Sequence, residues 1–419
     1  MPIARSAARV ENRYLVVEIN NRCTPTFART RVNFPRLALP RAWGSLGGER
    51  TLDRDQSNGR ELCSRSSEPD LATARESDRL EWSIARWARR PALKWRPMSR
   101  PVEFAKPLVE HVFTADPSAH VFEGRIYVYC SHDIDSGVPE KDDGSHFDMV
   151  DYRVLSLEGP GSEVTTHESV LHLGDVPWAA RQMWAPDAMR KDGRYYLFFP
   201  AKDREGVFRI GVATSNRPEG PFQARPQPIR GSFSIDPCSF VDDDGKAYLY
   251  FGGLWGGQLE RWRTGRYDAN GAGPAADEAA IGPRVAELEG DFESIEPREL
   301  SILDEHGAPL KAGDTARRYF EGPWVHRYRD TYYLSYSTGD THYLVYATSK
   351  SPLGPFTYRG RILNPVVGWT THHSIVEYEG RWYLFYHDCV LSHGVTHLRS
   401  VKMVPFEYGA DGSIPTIQP

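Results

Sequence analysis

One pattern recurs five times along the chain, and it limits the possible folds more than any other feature. Each copy places a polar residue before an apolar stretch, a tight turn and a strand rich in aromatic residues. The copies span residues 116–129, 186–199, 236–251, 321–336 and 373–387. Turns such as Glu-Gly and Asp-Gly between two such strands predict antiparallel β-hairpins. Five similar hairpins predict an all-β fold built from repeated sheets.

A second repeat shows that whole units are duplicated, and not the hairpins alone. Seven of ten positions are identical between residues 213–222 and 347–356, which lie 134 positions apart. The same 134 positions separate Asp187 from Glu321, which open two of the hairpins. We therefore predict a five-bladed β-propeller, in which each blade is one antiparallel sheet. A β-sandwich is the alternative, but it does not explain five equivalent positions.

The composition of the chain agrees with many short strands joined by turns. Aromatic residues make up 12% of the chain, and it contains 36 glycines and 31 prolines. Aromatic residues favour strands, whereas glycine and proline favour turns. No apolar stretch approaches the ~20 residues that a membrane helix needs. We expect the ring of blades to be closed by residues near 400–417 or by a strand near 107–113.

The first 97 residues contain no copy of the repeat and differ from the rest in charge. They hold 18 arginines and one lysine, whereas the whole chain has a formal net charge of −5. We interpret residues 1–97 as a basic, Arg-rich extension and residues 98–419 as the propeller domain. An arm for nucleic acid or acidic surfaces is one interpretation of such a segment. We favour the other, a poorly structured stretch or a non-native start upstream of Met98.

Only one part of this extension has helical periodicity. Leu80, Ile84 and Trp87 lie on one stripe of a helix that would cover about residues 69–90. The extension is therefore predicted to be poorly structured or partly helical.

Residues 1–20 lack the apolar segment of a signal peptide, and the five cysteines of the chain show neither a disulfide framework nor a zinc-binding spacing. We expect a cytoplasmic protein.

The polar residue that opens each repeat is a candidate for chemistry. In chain order these residues are Asp116, Asp187, Asp236, Glu321 and His373. Because the inner strands of a propeller surround its axis, equivalent positions converge on one end of the central channel. Like charges held together raise one another's pKa and cost stability, which is typical of functional sites. Paired carboxyl groups suit glycoside hydrolysis, and a metal site is the alternative.

Aromatic residues lie beside these candidates in the sequence. Trp184, Trp255 and Phe320 are next to the polar residues or on loops that leave the inner strands. A sugar-cleaving site needs such aromatic platforms, and we predict that these three residues bind substrate. Packing between blades is the alternative role for the same rings.

Five segments together resemble glycoside hydrolase family 43, the five-bladed propeller β-xylosidases and α-L-arabinofuranosidases. The segments are TADPSAHVFEGRIYVY, MWAPDA, SIDPCSFVDDDGKAYLYFGG, YFEGPWVHRYRDTYYLSYS and THHSIV. The resemblance covers about residues 105–419. It implies that Asp116 is the general base that activates water and that Glu321 is the general acid. It implies also that Asp236 orients the acid and keeps its pKa high, and that Asp187 is architectural.

The same resemblance implies two further contacts. Arg399, in THLRSV, matches an arginine that contacts the sugar in the deepest subsite, and His373 matches an axial histidine that holds water or a divalent cation. Because His372 and His373 are adjacent in a strand, they face opposite ways, and we choose His373 as the one in the channel. No cofactor is required for the implied chemistry. Ca²⁺ at His373 and an imidazole bonded to water or carboxylate are the two alternatives.

The resemblance implies an inverting exo-glycosidase that removes terminal β-1,4-xylosyl residues, and also α-L-arabinofuranosyl residues, from xylo-oligosaccharides. Residues 251–260, FGGLWGGQLE, resemble the β-xylosidase subgroup. The alternatives are an arabinan-degrading hydrolase of the same family with an open groove, a neighbouring fructan hydrolase that retains configuration, and a non-catalytic glycan-binding propeller. Loop 130–150 is a candidate to close one end of the pocket, although we expect its charges to be solvated. We expect neither nucleic-acid nor membrane partners and leave a homo-oligomer open.

Overall fold

Five β-sheets form five blades in the computed structural model, which describes residues 105–419. This arrangement confirms the all-β, five-bladed propeller predicted from the repeats. Within the described residues, the helical segments are three short 3₁₀ turns, Leu173–Asp175, Trp255–Gly257 and Leu259–Trp262. None of them is long and apolar enough to cross a membrane. The predicted extension 1–97, its helix and the boundary at residue 98 lie outside the described residues.

The first three blades are four-stranded sheets whose strands neighbour one another in chain order. Blade one consists of β1 (Thr114–Phe122), β2 (Arg125–His132), β3 (Tyr152–Leu157) and β4 (Thr165–His167). Blade two consists of β5 (Asp187–Lys191), β6 (Arg194–Lys202), β7 (Phe208–Ser215) and β8 (Gln223–Ala224). Blade three consists of β9 (Cys238–Val241), β10 (Ala247–Phe251), β11 (Arg284–Leu288) and β12 (Arg298–Glu299).

The last two blades depart from this plan. Blade four consists of β13 (Ile302–Leu303), β14 (Glu321–Tyr328), β15 (Thr331–Ser337), β16 (Leu344–Ser349) and β17 (Phe356–Leu363). Its short strand β13 pairs in parallel with β17, outside the four antiparallel strands. Blade five consists of β18 (His373–Tyr378), β19 (Arg381–Asp388) and β20 (Ser400–Phe406). Every blade therefore starts its antiparallel part with one of the predicted hairpins.

Three of the five inner hairpins have the two-residue turn that their sequences predict. Both central residues have positive φ in the turns at residues 123–124, 192–193 and 379–380. Two positive φ angles define the type I′ turn, whose twist matches that of the strands it joins. Glycine at the second position accepts this backbone without steric cost. The Glu-Gly and Asp-Gly pairs thus determine where these three hairpins reverse, whereas in the turn of blade three, residues 242–246, Gly245 has a positive φ but Asp244 does not.

The duplicated ten-residue segment has the same structural task in two blades. In blade two, the carbonyl oxygen of Pro218 accepts a hydrogen bond of 2.7 Å from the hydroxyl of Tyr129 in blade one. In blade four, the carbonyl oxygen of Pro352 accepts an equivalent bond of 2.7 Å from Tyr250 in blade three. The segment therefore recurs because it ties a blade to the one before it.

The ring closes through both segments that the sequence indicated. Pro107 pairs with Lys402 of β20, and the amide of Leu108 donates to the carbonyl oxygen of Val401 at 2.8 Å. The N-terminal segment thus continues blade five as its next strand. Since the same chain then enters β1, blade one is joined to blade five.

Most of the core lies between neighbouring blades. Leu197 of blade two packs in one cluster with Tyr129 of blade one, and Leu249 of blade three packs with Phe198 of blade two. A further cluster joins blades one and five, and the largest spans blades three to five. Apolar burial on both faces of each sheet holds the blades at fixed positions around the axis.

A buried ion pair stabilises blade five beside the closure. Lys402 Nζ lies 2.5 Å from Asp388 Oδ2, and their side chains are 1% and 2% exposed. We predict that Asp388→Ala lowers the free energy of unfolding by about 3–5 kcal/mol, because it leaves a buried ammonium group without a partner. Urea denaturation measures this loss. The exposed pair Lys350–Asp330 is the control: Asp330→Ala should change stability little. Equal small losses in both variants would contradict the prediction.

Candidate active site

A pocket opens at the end of the propeller where the inner strands begin. Its lining includes Asp116 of β1, Asp236 just before β9 and Glu321 at the start of β14. The structure therefore brings together the three carboxyl groups that the sequence proposed as catalytic. All three are contributed by inner strands or by the residues leading into them, as the propeller prediction requires.

Irregular backbone at the strand starts aims these carboxyl groups. Asp116 and Asp236 have φ angles of 52° and 57°, a left-handed conformation that is uncommon outside glycine. Strand pairing shifts near Asp116 and again just after Glu321, where Gly322 has a φ of 62°. Such strain is concentrated at functional sites, because the surrounding structure has to hold it.

Asp116 is surrounded by groups that favour its ionised form. Arg399 Nη1 donates to Asp116 Oδ1 at 2.8 Å, and Ser131 Oγ donates to Oδ2 at 2.7 Å. Burial raises the pKa of Asp116, but Arg399, His387, His372 and the Ser131 hydrogen bond together bring this pKa below its ordinary value. Asp116 is therefore an ionised carboxylate at neutral pH, ready to accept a proton.

Glu321 has the opposite electrostatic environment. Burial, followed by the negative charge of Asp116, raises the pKa of Glu321 to about 8, although Arg399 opposes the shift. Burial and the charges of Glu321 and Asp116 likewise raise the pKa of Asp236 well above its ordinary value. The amide of Gly322 donates to Asp236 Oδ2 at 2.9 Å and so favours charge on Asp236. We therefore assign the proton at neutral pH to Glu321.

Arg399 lies in the pocket wall, where the resemblance places a sugar contact, and it has a partner that the sequence did not reveal. Its Nε and Nη2 atoms donate to Asp133 at 2.8 and 2.7 Å, and its amide donates to the same carboxylate at 2.8 Å. Asp133 is fully buried, so the expectation that the charges of its loop are solvated is wrong for this residue. No spacing signal links two residues so far apart in the chain. Asp133 holds the guanidinium that reaches Asp116.

The loop after β2 closes one side of the pocket, as its position suggested. Asp142, Gly144, Phe147 and Met149 line the pocket from this loop. The Arg399 guanidinium lies 4.9 Å from the ring centroid of Phe147, which is within the range of a cation–π contact. The loop therefore covers the buried charges with apolar surface on the pocket side.

All three aromatic residues predicted to bind substrate line the pocket: Trp184, Trp255 and Phe320. The indole nitrogen of Trp184 donates to the carbonyl oxygen of Phe147 at 2.6 Å, which fixes this ring against the loop. Trp369, which the sequence analysis did not select, lines the pocket as well. It lies outside the five repeats, on the loop before β18, so the repeat pattern did not draw attention to it.

The choice between the two adjacent histidines requires a correction. The prediction placed His373 in the channel, but His372 lines the pocket, with its Nδ1 atom 3.7 Å from Asp116 Oδ1. His373 is fully buried, and its Nε2 atom makes a hydrogen bond of 2.6 Å with Ser335 Oγ of blade four. The two side chains do face opposite ways, but alternation along a strand does not say which one faces the pocket.

A calcium site at His373 does not fit the residues around it. Among residues 105–419, no group of three or more His, Cys, Asp or Glu side chains is arranged to hold an ion. Ca²⁺ takes six to eight oxygen ligands in proteins, whereas His373 offers one imidazole nitrogen that has no hydrogen-bond partner, Nδ1. We therefore derive no step through a metal ion.

Asp187 joins three blades below the pocket. Its carboxylate accepts hydrogen bonds from Ser118 and, at 2.8 Å, from His120 Nε2, both in β1. It accepts two more, from the amide and the hydroxyl of Ser239 in β9, each at 2.5 Å. Asp187 does not line the pocket, and with all these donors it acts as the architectural residue that the resemblance implied.

Comparison with known proteins decides the family. Residues 104–414 match the sequence profile described as Glycosyl hydrolases family 43. The chain belongs to glycoside hydrolase family 43. A curated relative, xylosidase/arabinosidase 43A of Humicola insolens, is 58% identical over 324 residues, which cover 75% of this chain and 99% of that protein. This family 43 chain is therefore a glycoside hydrolase.

Solved structures give the same result for the fold. A family 43 β-xylosidase/α-arabinofuranosidase from a compost microbial metagenome, in complex with xylotriose and in calcium-free form, is 60% identical, with a TM-score of 0.74. It matches 75% of this chain and 97% of its own length. The GH43_1 enzyme of Xanthomonas citri complexed with xylotriose is 58% identical, with a TM-score of 0.72, over 75% of this chain and 94% of its own.

The two opposite pKa shifts predict how the activity of this family 43 hydrolase depends on pH. Asp116, with a lowered pKa, loses its charge only in acid, whereas Glu321 loses its proton above about pH 8. We expect kcat/KM to be level between these limits and to fall about tenfold per pH unit above the Glu321 pKa. A pH series of initial rates measures this. An alkaline limb that is unchanged in Glu321→Gln would show that another group causes it.

Proposed function

We propose that this family 43 hydrolase is an inverting exo-acting β-xylosidase that also removes α-L-arabinofuranosyl residues. Its substrates would be xylo-oligosaccharides and arabinosyl-decorated oligosaccharides, cleaved at the terminal sugar. The observation that carries the proposal is the pair of carboxyl groups in one pocket, with Asp116 ionised and Glu321 protonated at the same pH. General base and general acid catalysis of glycoside hydrolysis need this combination.

Asp116 acts as the general base. A water molecule beside the anomeric carbon gives its proton to the Asp116 carboxylate while its oxygen attacks that carbon from the face opposite the leaving group. Arg399 and Ser131 occupy one oxygen each, which fixes the carboxylate plane without protonating it. The attack inverts the configuration at the anomeric carbon, because bond formation and bond cleavage occur on opposite faces.

Glu321 acts as the general acid. It donates its proton to the glycosidic oxygen as the bond to the anomeric carbon breaks, so that the departing sugar leaves as a neutral alcohol. Burial and the charge of Asp116 raise the proton affinity of Glu321, and we assign to Asp236, held by the Gly322 amide, the orientation of the acid. A carboxyl group with an ordinary pKa would already be ionised at neutral pH and could not donate.

The loop that lines one side of the pocket supports action at chain ends. Asp133 and Arg399 are each 2% exposed, and the Arg399 guanidinium pairs with both Asp133 and Asp116. The loop after β2 closes one side through Phe147 and Met149. A pocket of this kind accepts a terminal sugar, whereas an endo-acting arabinan hydrolase requires a groove that is open at both ends.

The identity of the sugar is supported by the relatives. The Humicola insolens protein carries both xylosidase and arabinosidase in its name, and the structures from the compost metagenome and from Xanthomonas citri contain xylotriose. Xylopyranosides and arabinofuranosides are both pentosides with similar hydroxyl groups, so one pocket can accept both. We propose cytoplasmic action, in keeping with the free thiols of Cys130, Cys238 and Cys389 among the described residues.

The stereochemical course tests the proposal directly. We predict that 4-nitrophenyl β-xylopyranoside is cleaved with inversion, so that α-xylose appears first and β-xylose forms only by mutarotation. Proton NMR during the first minutes of hydrolysis distinguishes the two anomers. Initial release of β-xylose would show a retaining mechanism with a covalent intermediate, as expected for a fructan-type propeller hydrolase. Cleavage of linear arabinan in preference to xylobiose would show that the substrate is arabinan and not a xylo-oligosaccharide.

Substitution of the two carboxyl groups tests their separate roles. We predict that Asp116→Asn lowers kcat by several orders of magnitude for every xyloside, because attack by water loses its base. Glu321→Gln should cost far less with an activated leaving group, such as 2,4-dinitrophenolate, than with xylobiose, since an acidic leaving group needs no proton. Rates on both substrates measure this difference, with circular dichroism as the check on folding. Equal losses of Glu321→Gln on both substrates would overturn its role as the acid.

A further inference from the structure

The backbone of Asp116 has a requirement of its own, separate from that of its carboxylate. Asp116 has a φ of 52° and is followed by Pro117, although a residue before proline is normally extended. It lies where the pairing between β1 and β2 shifts, and neither Asp116 nor Pro117 has a partner residue in β2. Because Asp116 is buried, its amide cannot turn to solvent instead. An unpaired buried donor is costly, so another group has to accept its hydrogen bond.

The acceptor is His387 of β19, in blade five. Its Nδ1 atom accepts the hydrogen bond of the Asp116 amide at 3.0 Å, across 271 positions of the chain. The same Nδ1 atom is 3.6 Å from Asp116 Oδ1, beyond hydrogen-bond distance. His387 is 1% exposed and does not line the pocket. It therefore bonds to the main chain of Asp116 and not to the carboxylate or to anything in the pocket.

The partners of the His387 ring define where its proton lies. An amide N–H can only donate, so Nδ1 presents a lone pair and the proton of the neutral imidazole is on Nε2. Nε2 lies 3.0 Å from Thr370 Oγ1 and 3.2 Å from the Thr370 carbonyl oxygen, which are both acceptors. Burial, followed by the charge of Arg399, lowers the pKa of His387 to about 3, so the ring is neutral at neutral pH. Both nitrogen atoms are thus paired in a single tautomer.

Thr370 links this contact to the carboxylate of Asp116. The Thr370 hydroxyl oxygen accepts a bond of 3.2 Å from Arg399 Nη1, the atom that also donates to Asp116 Oδ1 at 2.8 Å. Hydrogen bonds therefore form a closed circuit that leaves Asp116 at its amide and returns at its carboxylate. Such a circuit fixes the main chain and the side chain together, which is how supporting residues hold a reacting group in position.

We propose that His387 is a positioning residue for the hydrolysis, which holds the main chain of Asp116 so that the carboxylate stays directed at the attacking water. This inference rests on the proposed β-xylosidase function, in which Asp116 is the general base. A base has to lie within hydrogen-bond reach of the water that it deprotonates, and a displacement of about 1 Å can cost ~100-fold in rate. His387 therefore contributes to kcat and not to the binding of substrate.

Two amide substitutions separate the roles of the two ring nitrogens. The side-chain oxygen of asparagine is as many bonds from Cβ as Nδ1 is, whereas the side-chain oxygen of glutamine matches Nε2. His387→Asn can therefore still accept from the Asp116 amide, and His387→Gln cannot. On 4-nitrophenyl β-xylopyranoside we expect His387→Gln to lower kcat about 100-fold with KM within about threefold, and His387→Asn to keep a kcat at least about tenfold above that of His387→Gln.

The same substitution at another buried histidine is the matched control. His326 of β14 is buried, does not line the pocket, and has its Nε2 atom 2.5 Å from Tyr408 Oη. His326→Gln should leave kcat unchanged, with circular dichroism as the check on folding in every variant. A loss in His326→Gln as large as that in His387→Gln would overturn the inference, since any buried histidine would then have the same effect.

The remaining outcomes separate this inference from the proposed function. Equal kcat in His387→Asn and His387→Gln overturns the inference alone, and so does a loss that appears only in KM. If His387→Gln does not fold, His387→Asn decides: a kcat within about tenfold of the unaltered protein supports the inference, and a larger loss in a folded variant overturns it. If the unaltered protein releases no xylose, or if Asp116→Asn is fully active, the proposed function is wrong and the inference falls with it.

Discussion

The guanidinium of Arg399, shared between two buried carboxylates of blade one, links the architecture of this protein to its chemistry. Arg399 comes immediately before β20, the strand on which the ring closes, and its carbonyl oxygen accepts a hydrogen bond from Thr114 at the start of β1. The same residue pairs with Asp133 and Asp116. Closing the ring therefore completes the pocket, since blade five supplies the charge that keeps Asp116 of blade one ionised.

The propeller makes it possible to give neighbouring carboxyl groups different proton affinities. Asp116 accepts hydrogen bonds from the guanidinium of Arg399 and the hydroxyl of Ser131. Glu321 is buried and lies near the negative charge of Asp116. The two environments are linked, because the charge of Asp116 raises the pKa of Glu321 while Arg399 opposes that shift. Burying a carboxylate is costly unless it is paired or neutralised. Asp116 is paired with Arg399, whereas Glu321 is neutralised by keeping its proton.

Repetition explains why so much of this protein can be predicted. The turns, the hairpins and the duplicated segment with Pro218 and Pro352 are local patterns, and each recurs where the same structural task recurs. The three carboxyl groups of the pocket were found because they occupy equivalent positions of the repeat. Asp133 and Trp369 lie in loops outside it. Loop residues are positioned by contacts with distant segments, and no local pattern records those contacts.

The sequence by itself determined the blade count, the hairpin turns, the family and the residues Asp116, Asp236 and Glu321. Each of these follows from spacing or from local backbone preference. Only the tertiary structure decided that His372 and not His373 faces the pocket, that Asp133 holds Arg399, and that Trp255 and Trp369 meet in the pocket lining. These facts depend on how blades are rotated and packed about the axis, which brings together residues that are far apart in the chain.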